Sequence, residues 1–428
     1  MAHCIDSPVR LPAPTQLDSL QPVYTLDPDT QNERANTLRN LLEKGHESVA
    51  PLREPKLILH SHLPHLLGSA YFLGSSTDQL AELYAHEIRT LREIDDTFIT
   101  GRAILRQNWR EFLGRKEYTV AYVQYFDSQL KHIHNGDWKG MLQQYLFVGP
   151  EPLINGFTGG LGHPLIHLAY AWELQSPAVA TEALSLCCTE YNPAHGFLDA
   201  YPPDTSTYKT SSLAEVLARI QVDTRFDNLF ELQGITNIET LVQTRLDAVL
   251  EHWNAWQVIN STHQLEHICD VSVLLAIATG SKERKFDFYL AHTMTVAHAL
   301  RVLWEFSPMD RECILRQYAL FVIMTYICQL RPEVNVNLMD SIETIQLKSD
   351  DDWKSLMQKA LCHEWYKDSH FFKVVRAPRA FEETFGVKNG FYRKAAIKVR
   401  SQFDGWEGFG EGVEGFLPSR DGYRPDKE

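Results

Sequence analysis

Two short segments place histidines at spacings that suit metal binding. His60-Ser61-His62-Leu63-Pro64-His65 carries three, and Gly162-His163-Pro164-Leu165-Ile166-His167 carries two. His62 and His65 are three residues apart and His163 and His167 four apart, so on a helix each pair shares one face. Helical side chains projecting into a bundle core are one way such scaffolds hold metals, and imidazole suits iron, zinc, copper and nickel. His292 sits on another predicted helix, in Leu290-Ala291-His292-Thr293-Met294-Thr295. His370 and Lys373 are again three apart, in Asp368-Ser369-His370-Phe371-Phe372-Lys373-Val374-Val375-Arg376. A single histidine is more often a core hydrogen-bonder or a surface group than a ligand. His132/His134, His263/His267 and His298 have comparable spacings in more polar settings, so spacing alone selects no ligand.

Other catalytic signatures are absent. There is no HExxH pair, no HxE…PCxxC deaminase pattern and no GxSxG elbow. An iron site normally wants an anionic ligand, as in the triad of two histidines and one carboxylate. Carboxylates near the histidine pairs are few, Glu173, six residues past His167, faces elsewhere, and none is an obvious ligand. Lys373 offers a substitute. A lysine among apolar neighbours has a depressed pKa and can be neutral, and a neutral amine can capture carbon dioxide as a carbamate. The ordinary alternative is a lysine whose ammonium reaches solvent or a salt-bridge partner.

Helices must position these groups. Residues 62–73 are good helix formers, Pro64 fits a first turn, and Gly74 sits where the helix would stop. The next helix is expected from Thr77, capped by Ser75, Ser76 or Thr77. Further helices are predicted near 35–48, 118–134, 163–174, 177–190, 211–220, 238–258, 263–279, 287–306, 310–330 and 352–366. Tyr122–Phe126 is β-prone, but its neighbours favour helix. The segment Asn155-Gly156-Phe157-Thr158-Gly159-Gly160-Leu161-Gly162 has four glycines. With no preceding strand and no Rossmann or Walker spacing, it is expected to turn sharply and set His163 at a helix start rather than cradle phosphate. The prediction is an all-α fold: residues 1–34 as an extended arm, and 35–428 as one helical domain around a histidine-lined central site. The tail from Gly405 is aperiodic.

The chain has 428 residues, 44% of them hydrophobic, enough for a large core. A net charge of −14 disfavours nucleic acid and anionic membrane surfaces. The longest apolar run, Tyr318 to Leu330, is short of the roughly 20 residues a membrane span needs. The N-terminus lacks the basic and apolar regions of a secretory signal. Seven scattered cysteines contain no CxxC pair, which points to reduced thiols. The expected location is cytoplasmic.

Four blocks carry a family resemblance. His60-Ser61-His62-Leu63-Pro64-His65-Leu66-Leu67, with Tyr71 and Leu73-Gly74, is similar to an HNHxxHHLL…YxLGA block. Gly162-His163-Pro164-Leu165-Ile166-His167-Leu168-Ala169-Tyr170-Ala171 resembles GHPLIHLGYA closely. Asp287-Phe288-Tyr289-Leu290-Ala291-His292-Thr293-Met294-Thr295 resembles DFFLxHxxTS, and Ser369 to Ala377 resembles HxxKxxRA. Ser61, Leu66 and Val296 depart from the pattern, standing where it has Asn, His and Ser. In this order the blocks resemble the questin oxidase-like group of fungal polyketide enzymes.

The resemblance implies oxygenative ring cleavage of a reduced anthraquinone or a related fused aromatic polyketide, with dioxygen as co-substrate. It implies Fe(II) held by histidines drawn from His62, His65, His163, His167 and His292, with Lys373, as a carbamate, for the anionic partner. His60 and His370 are then acid–base candidates, and Tyr71, Tyr170, Trp172 and Phe288 are candidates to line a flat aromatic pocket. Two other readings stay open. One is a Baeyer–Villiger-type oxidase using NADPH through a partner reductase, since no dinucleotide fingerprint is visible. The other is a helical binding protein with structural histidines.

Overall fold

Helix starts and stops follow from local chemistry. The computed structural model describes residues 11–15, 20, 23–53, 59–94, 103–279, 285–306, 311–335 and 352–410. Its helices are α1 (Glu33–Ser48), α2 (Leu63–Leu73), α3 (Thr77–Glu87), α4 (Thr119–His132), α5 (Trp138–Phe147), α6 (Gly159–Leu174), α7 (Pro177–Thr189) and α8 (Gly196–Asp199). They continue with α9 (Leu213–Gln221), α10 (Asn237–Ala255), α11 (Ser261–Ile277), α12 (Phe288–Leu303), α13 (Arg311–Cys328), α14 (Trp353–Leu361), α15 (Ser369–Phe385) and α16 (Phe391–Gln402). The expected all-α fold is what forms, as a single helical domain.

Pro64 lies in the first turn of α2, where its missing N–H has no intrahelical acceptor to lose, and Gly74 ends the helix in the left-handed region at φ +96°. Ser76 and Gln79 form a reciprocal capping box on α3. Asp287 caps α12 by accepting the N–H groups of Tyr289 and Leu290. Asp368 caps α15 by accepting the N–H of His370. Tyr122–Phe126 lies within α4, as its neighbours require. Asn32 caps α1, so this helix begins at Glu33 rather than near residue 35, and the Leu26 N–H donates to the Glu173 carbonyl at 2.6 Å.

The core decides where the site lies. Every residue of α12 is buried, as expected for a helix enclosed on all sides. α12 packs on α6 and α15, α15 packs on α2, and α2 packs on α6. These four helices close a ring, and each carries one of the histidine-bearing segments.

Strands are few among the described residues. β1 (Val49–Arg53) pairs antiparallel with β2 (Leu91–Glu93), and Leu52 bridges His60. β3 (Phe286–Asp287) pairs in parallel with β4 (Trp406–Glu407). They are too short to leave a clear alternating pattern in the sequence. The parallel pair brings the start of the aperiodic tail onto the body; the tail beyond residue 410 lies outside the described residues. No helix among the described residues is long and apolar enough to cross a membrane, and the six described cysteines are free thiols.

Candidate metal centre

The entry to α6 shows how the glycine-rich loop sets a histidine. Gly160, Leu161 and Gly162 all have positive φ, at 52°, 58° and 75°, so the backbone reverses before the helix proper. The turn points the Gly160 carbonyl at His163, whose Nδ1–H donates to it at 2.6 Å. At Gly162 a Cβ would stand 2.4 Å from Cγ2 of Val296 on α12. Gly162→Ala is therefore expected to lose about 2–4 kcal/mol, combining left-handed backbone strain with overpacking against a stiff β-branched neighbour. Urea titration should show this loss, and Val296→Ala should recover the overpacking part. An unchanged midpoint in Gly162→Ala would rule the close packing out.

The lead-in to α2 is held by a buried ion pair. The Arg53 guanidinium binds Glu87, donates to Thr90 Oγ1 at 2.7 Å, and donates to the His60 carbonyl at 3.2 Å. Glu87 in turn accepts the His62 N–H at 3.1 Å. His60 and His62 are thereby clamped on a non-helical segment, with His65 one turn into α2.

The ring of helices converges these side chains. His62, His163 and His370 each offer a ring nitrogen, and the three atoms lie within 4.8 Å of one another. Nε2 of His62 and Nε2 of His163 are 2.8 Å apart. Because His163 gives its Nδ1 proton to Gly160, the proton between the rings belongs to His62. Ring centroids of His292 lie 5.5 Å from His163 and 5.1 Å from His370. His60 stacks on His163 at 4.2 Å, and His65 lies 5.4 Å from His62 and 5.1 Å from His167. All seven histidines and Lys373 are buried.

The electrostatics leave lone pairs facing inward. Burial, reinforced by neighbouring cationic groups, holds His62, His65, His163 and His370 well below the ordinary imidazole range. Burial and Lys373 push His292 down to about 3. These rings are neutral at pH 7. His292 spends its Nδ1–H on the Phe288 carbonyl at 2.7 Å, and Nδ1 of His370 lies 3.1 Å from Asp368 Oδ1. In both, Nε2 is buried without a hydrogen-bond partner. Burial also pushes the Lys373 ammonium down to about 7, against the pull of Asp368 and Glu87, and its Nζ has no hydrogen-bond partner.

Unpaired buried polar atoms cost about 1–3 kcal/mol each, so a cluster of them suits a species that uses the lone pairs. A divalent transition-metal ion fits the donor set. Carbonyl or carboxylate partners behind His163, His292 and His370 fix the tautomer and turn Nε2 inward, the arrangement that ligating imidazoles require.

The sequence reading missed the carboxylates. Glu190 meets Nε2 of His60 at 2.6 Å, and Glu182 meets Nε2 of His167 at 2.8 Å. Ion pairing with His60 and Lys116 outweighs burial and holds Glu190 at about 2. Both carboxylates come from α7 and the residue that follows it, too far along the chain for spacing to reveal them. Asp368 stood inside the quoted His370 segment, but its contact with the ring needed coordinates. Glu173 does face elsewhere: it pairs with Arg376.

The four aromatic candidates separate. Phe288 packs 4.6 Å from both His292 and His370, and Tyr170 stacks on His65 at 4.9 Å with its hydroxyl 2.6 Å from Ser69. Trp172 packs against Trp138 and Phe306, and Tyr71 lies under the Arg34 guanidinium; neither contact belongs to the histidine cluster. Of the comparison histidines, His267 accepts the Ala214 N–H at 3.3 Å, a structural role. His298 is buried, which corrects its reading as a polar-setting residue.

Residues 59–378, which span the whole histidine constellation, match the model of the questin oxidase-like family. The chain belongs to the questin oxidase-like family. Its relatives there carry oxidoreductase names. Oxidoreductase AflY of Aspergillus parasiticus is 23% identical, over 88% of this chain and 79% of its own. Baeyer-Villiger monooxygenase AacuH of Aspergillus aculeatus is 24% identical, over 87% and 84%. Questin oxidase of Aspergillus terreus is 22% identical, over 86% and 84%. These names support an oxidoreductase family for this questin oxidase-like chain.

Proposed function

We propose that this protein is an iron-dependent oxygenase that opens a ring of a reduced anthraquinone or a related fused aromatic polyketide. The observation that carries the reading is the convergence of His62, His163 and His370 within 4.8 Å, beside the buried, unpaired amine of Lys373. His62, His163 and His370 hold the ion. His292, with Nε2 bare against the same cluster, is a further donor. His370 moves from the acid–base role that the sequence suggested into the ligand set, while His65 and His167 fall outside the group of three.

Lys373 supplies the anionic partner. Its neutral amine adds to carbon dioxide, forming the N–C bond of a carbamate and releasing one proton. Bound Fe(II) supplies one-electron chemistry toward dioxygen, given an open coordination position. The remaining work belongs to the chain. Phe288 and Tyr170 present apolar faces that exclude water and suit a flat ring system. His60, bonded to Glu190, is placed to move a proton of a substrate hydroxyl.

Protein purified without a chelating tag should carry close to one iron per chain and consume oxygen with a reduced anthraquinone. Iron far below stoichiometry, with turnover indifferent to chelator, defeats the reading. The name of the relative AacuH, a Baeyer-Villiger monooxygenase, favours a second one, a Baeyer–Villiger-type oxidation, for which the electrons would come from NADPH through a separate reductase. Turnover of the pre-reduced substrate with dioxygen but without NADPH distinguishes the two.

A further inference from the structure

A file of titratable side chains runs from the protein surface to the edge of the histidine cluster, and the proposed reaction leaves it unused. Asp127 of α4 is 39% exposed at its side chain. Its Oδ2 meets Nε2 of His46 at 3.2 Å, and His46, on α1, is 15% exposed. Nδ1 of His46 meets Glu182 Oε1 at 2.8 Å, and Glu182, on α7, is 10% exposed. The other carboxylate oxygen, Oε2, meets Nε2 of His167 on α6 at 2.8 Å, and His167 is fully buried. Exposure falls at every step inward, and four helices contribute one group each.

The protonation states follow from the partners. Burial opposes the anion, but hydrogen bonds from His167 and His46 hold Glu182 at about 2, so it is a carboxylate. Its contact with His167 therefore uses an Nε2–H donor, so in the neutral ring the free lone pair lies on Nδ1 of His167. That atom is buried and has no hydrogen-bond partner. The ring lies edge-on to His65, 5.1 Å away. A carboxylate that fixes an imidazole tautomer with the other nitrogen open is the working arrangement of a general base. At the outer end, burial lowers His46, but Asp127 and Glu182 overcome it and raise the ring to about 10. The file thus holds an unpartnered imidazole nitrogen at its inner end and a protonated imidazole at its outer end.

We propose that His167 is a proton acceptor for the substrate hydroxyl, and that Glu182, His46 and Asp127 form the relay that carries the proton to solvent. The inference rests on the oxygenase reading given above. In the step, the substrate O–H bond breaks and an N–H bond forms at Nδ1 of His167. The Nε2 proton passes to Glu182, and His46, whose counter-anion is thereby neutralised, releases its Nε2 proton to Asp127 and water while keeping its Nδ1 proton. One proton leaves the protein, the substrate keeps the electron pair as an oxyanion, and no redox partner is needed.

The test uses the full chain and two readouts. In the metal-free protein, 15N-imidazole NMR should show the ring identified by its loss in His167→Gln with Nε2 protonated and Nδ1 bare at neutral pH; a proton on Nδ1 overturns the proposal. In the iron-loaded protein, His46→Ala should keep its iron and lose on the order of tenfold in oxygen uptake with a reduced anthraquinone, within the range for proton-transfer groups. Added imidazole should restore that rate. Unchanged turnover, or a loss that imidazole does not relieve, overturns the relay. Failure of the iron reading itself shows separately, as absence of iron from the unaltered chain, while the NMR measurement still decides the state of His167.

Discussion

Lys373→Met should abolish stoichiometric iron binding and lower oxygen uptake at least ~10²-fold, beyond the 10–100-fold typical of residues that only support a ligand. The same substitution should leave the metal-free chain as stable as before, or more stable by about 1 kcal/mol. The two signs have one cause. The Nζ atom of Lys373 is buried without a hydrogen-bond partner, and such an atom costs the fold about 1–3 kcal/mol. An apolar side chain of similar volume removes that cost. It also removes the amine that forms the carbamate. In Lys373→Ala, which leaves a void, small carboxylic acids should partly restore iron binding. Iron content and urea unfolding, measured on the same preparations, check both halves. A Lys373→Met protein with full iron and full turnover removes the residue from the site.

Arg376→Ala should cost about 3–5 kcal/mol of stability, the range for stripping one partner from a buried ion pair. Arg376 of α15 binds both carboxylate oxygens of Glu173 on α6, with Nη1 to Oε2 at 3.0 Å. Both side chains are buried, and the guanidinium also lies over the rings of Phe72 and Tyr170. This pair locks the helix of His163 against the helix of His370 and Lys373, so iron affinity should fall together with stability. Burial already raises the Glu173 carboxyl above its usual range, with Arg376 opposing. Without Arg376 the folded-state value rises further. A raised folded-state pKa adds stability below the unfolded value and forfeits it as pH climbs, so the variant should be less impaired near pH 5 than near pH 8. Paired Glu173→Gln and Arg376→Met changes should lose less than the sum of the single losses, because neither charge is then left alone. Additive losses in chemical denaturation would show that the two side chains do not depend on each other.

Much of the fold was legible in the sequence because helix boundaries are local. Pro64 and Gly74 bracket α2, Ser76 and Gln79 start α3, and Asp287 and Asp368 start the helices of His292 and His370. The glycines before His163 announced a reversal, and the backbone makes one at residues 160–162. The small strands were not legible, since two to five residues are too few to carry a clear period.

The site divides along the same line. Residue types and spacing drew attention to the pairs His62/His65, His163/His167 and His370/Lys373 and to the single His292, and the family resemblance made a metal set of His62, His65, His163, His167, His292 and Lys373, with His370 as an acid–base group. Spacing could not rank them, since His298 and the His263/His267 pair look alike at that level. The closed ring of α2, α6, α12 and α15 ranks them, by pointing one set of rings at a common centre and leaving His267 to a backbone N–H. Tertiary structure alone decided the partners. Glu182 and Glu190 reach His167 and His60 only because α7 packs on α6, and Arg376 finds Glu173 across two helices 203 residues apart in sequence. Helix caps and face periodicity are set by neighbours a few residues away, so the sequence by itself determined the helices and the chemistry they carry. Burial and charge pairing depend on which helices meet, and that is why the protonation state of each histidine, and the role open to it, were decided only in the folded chain.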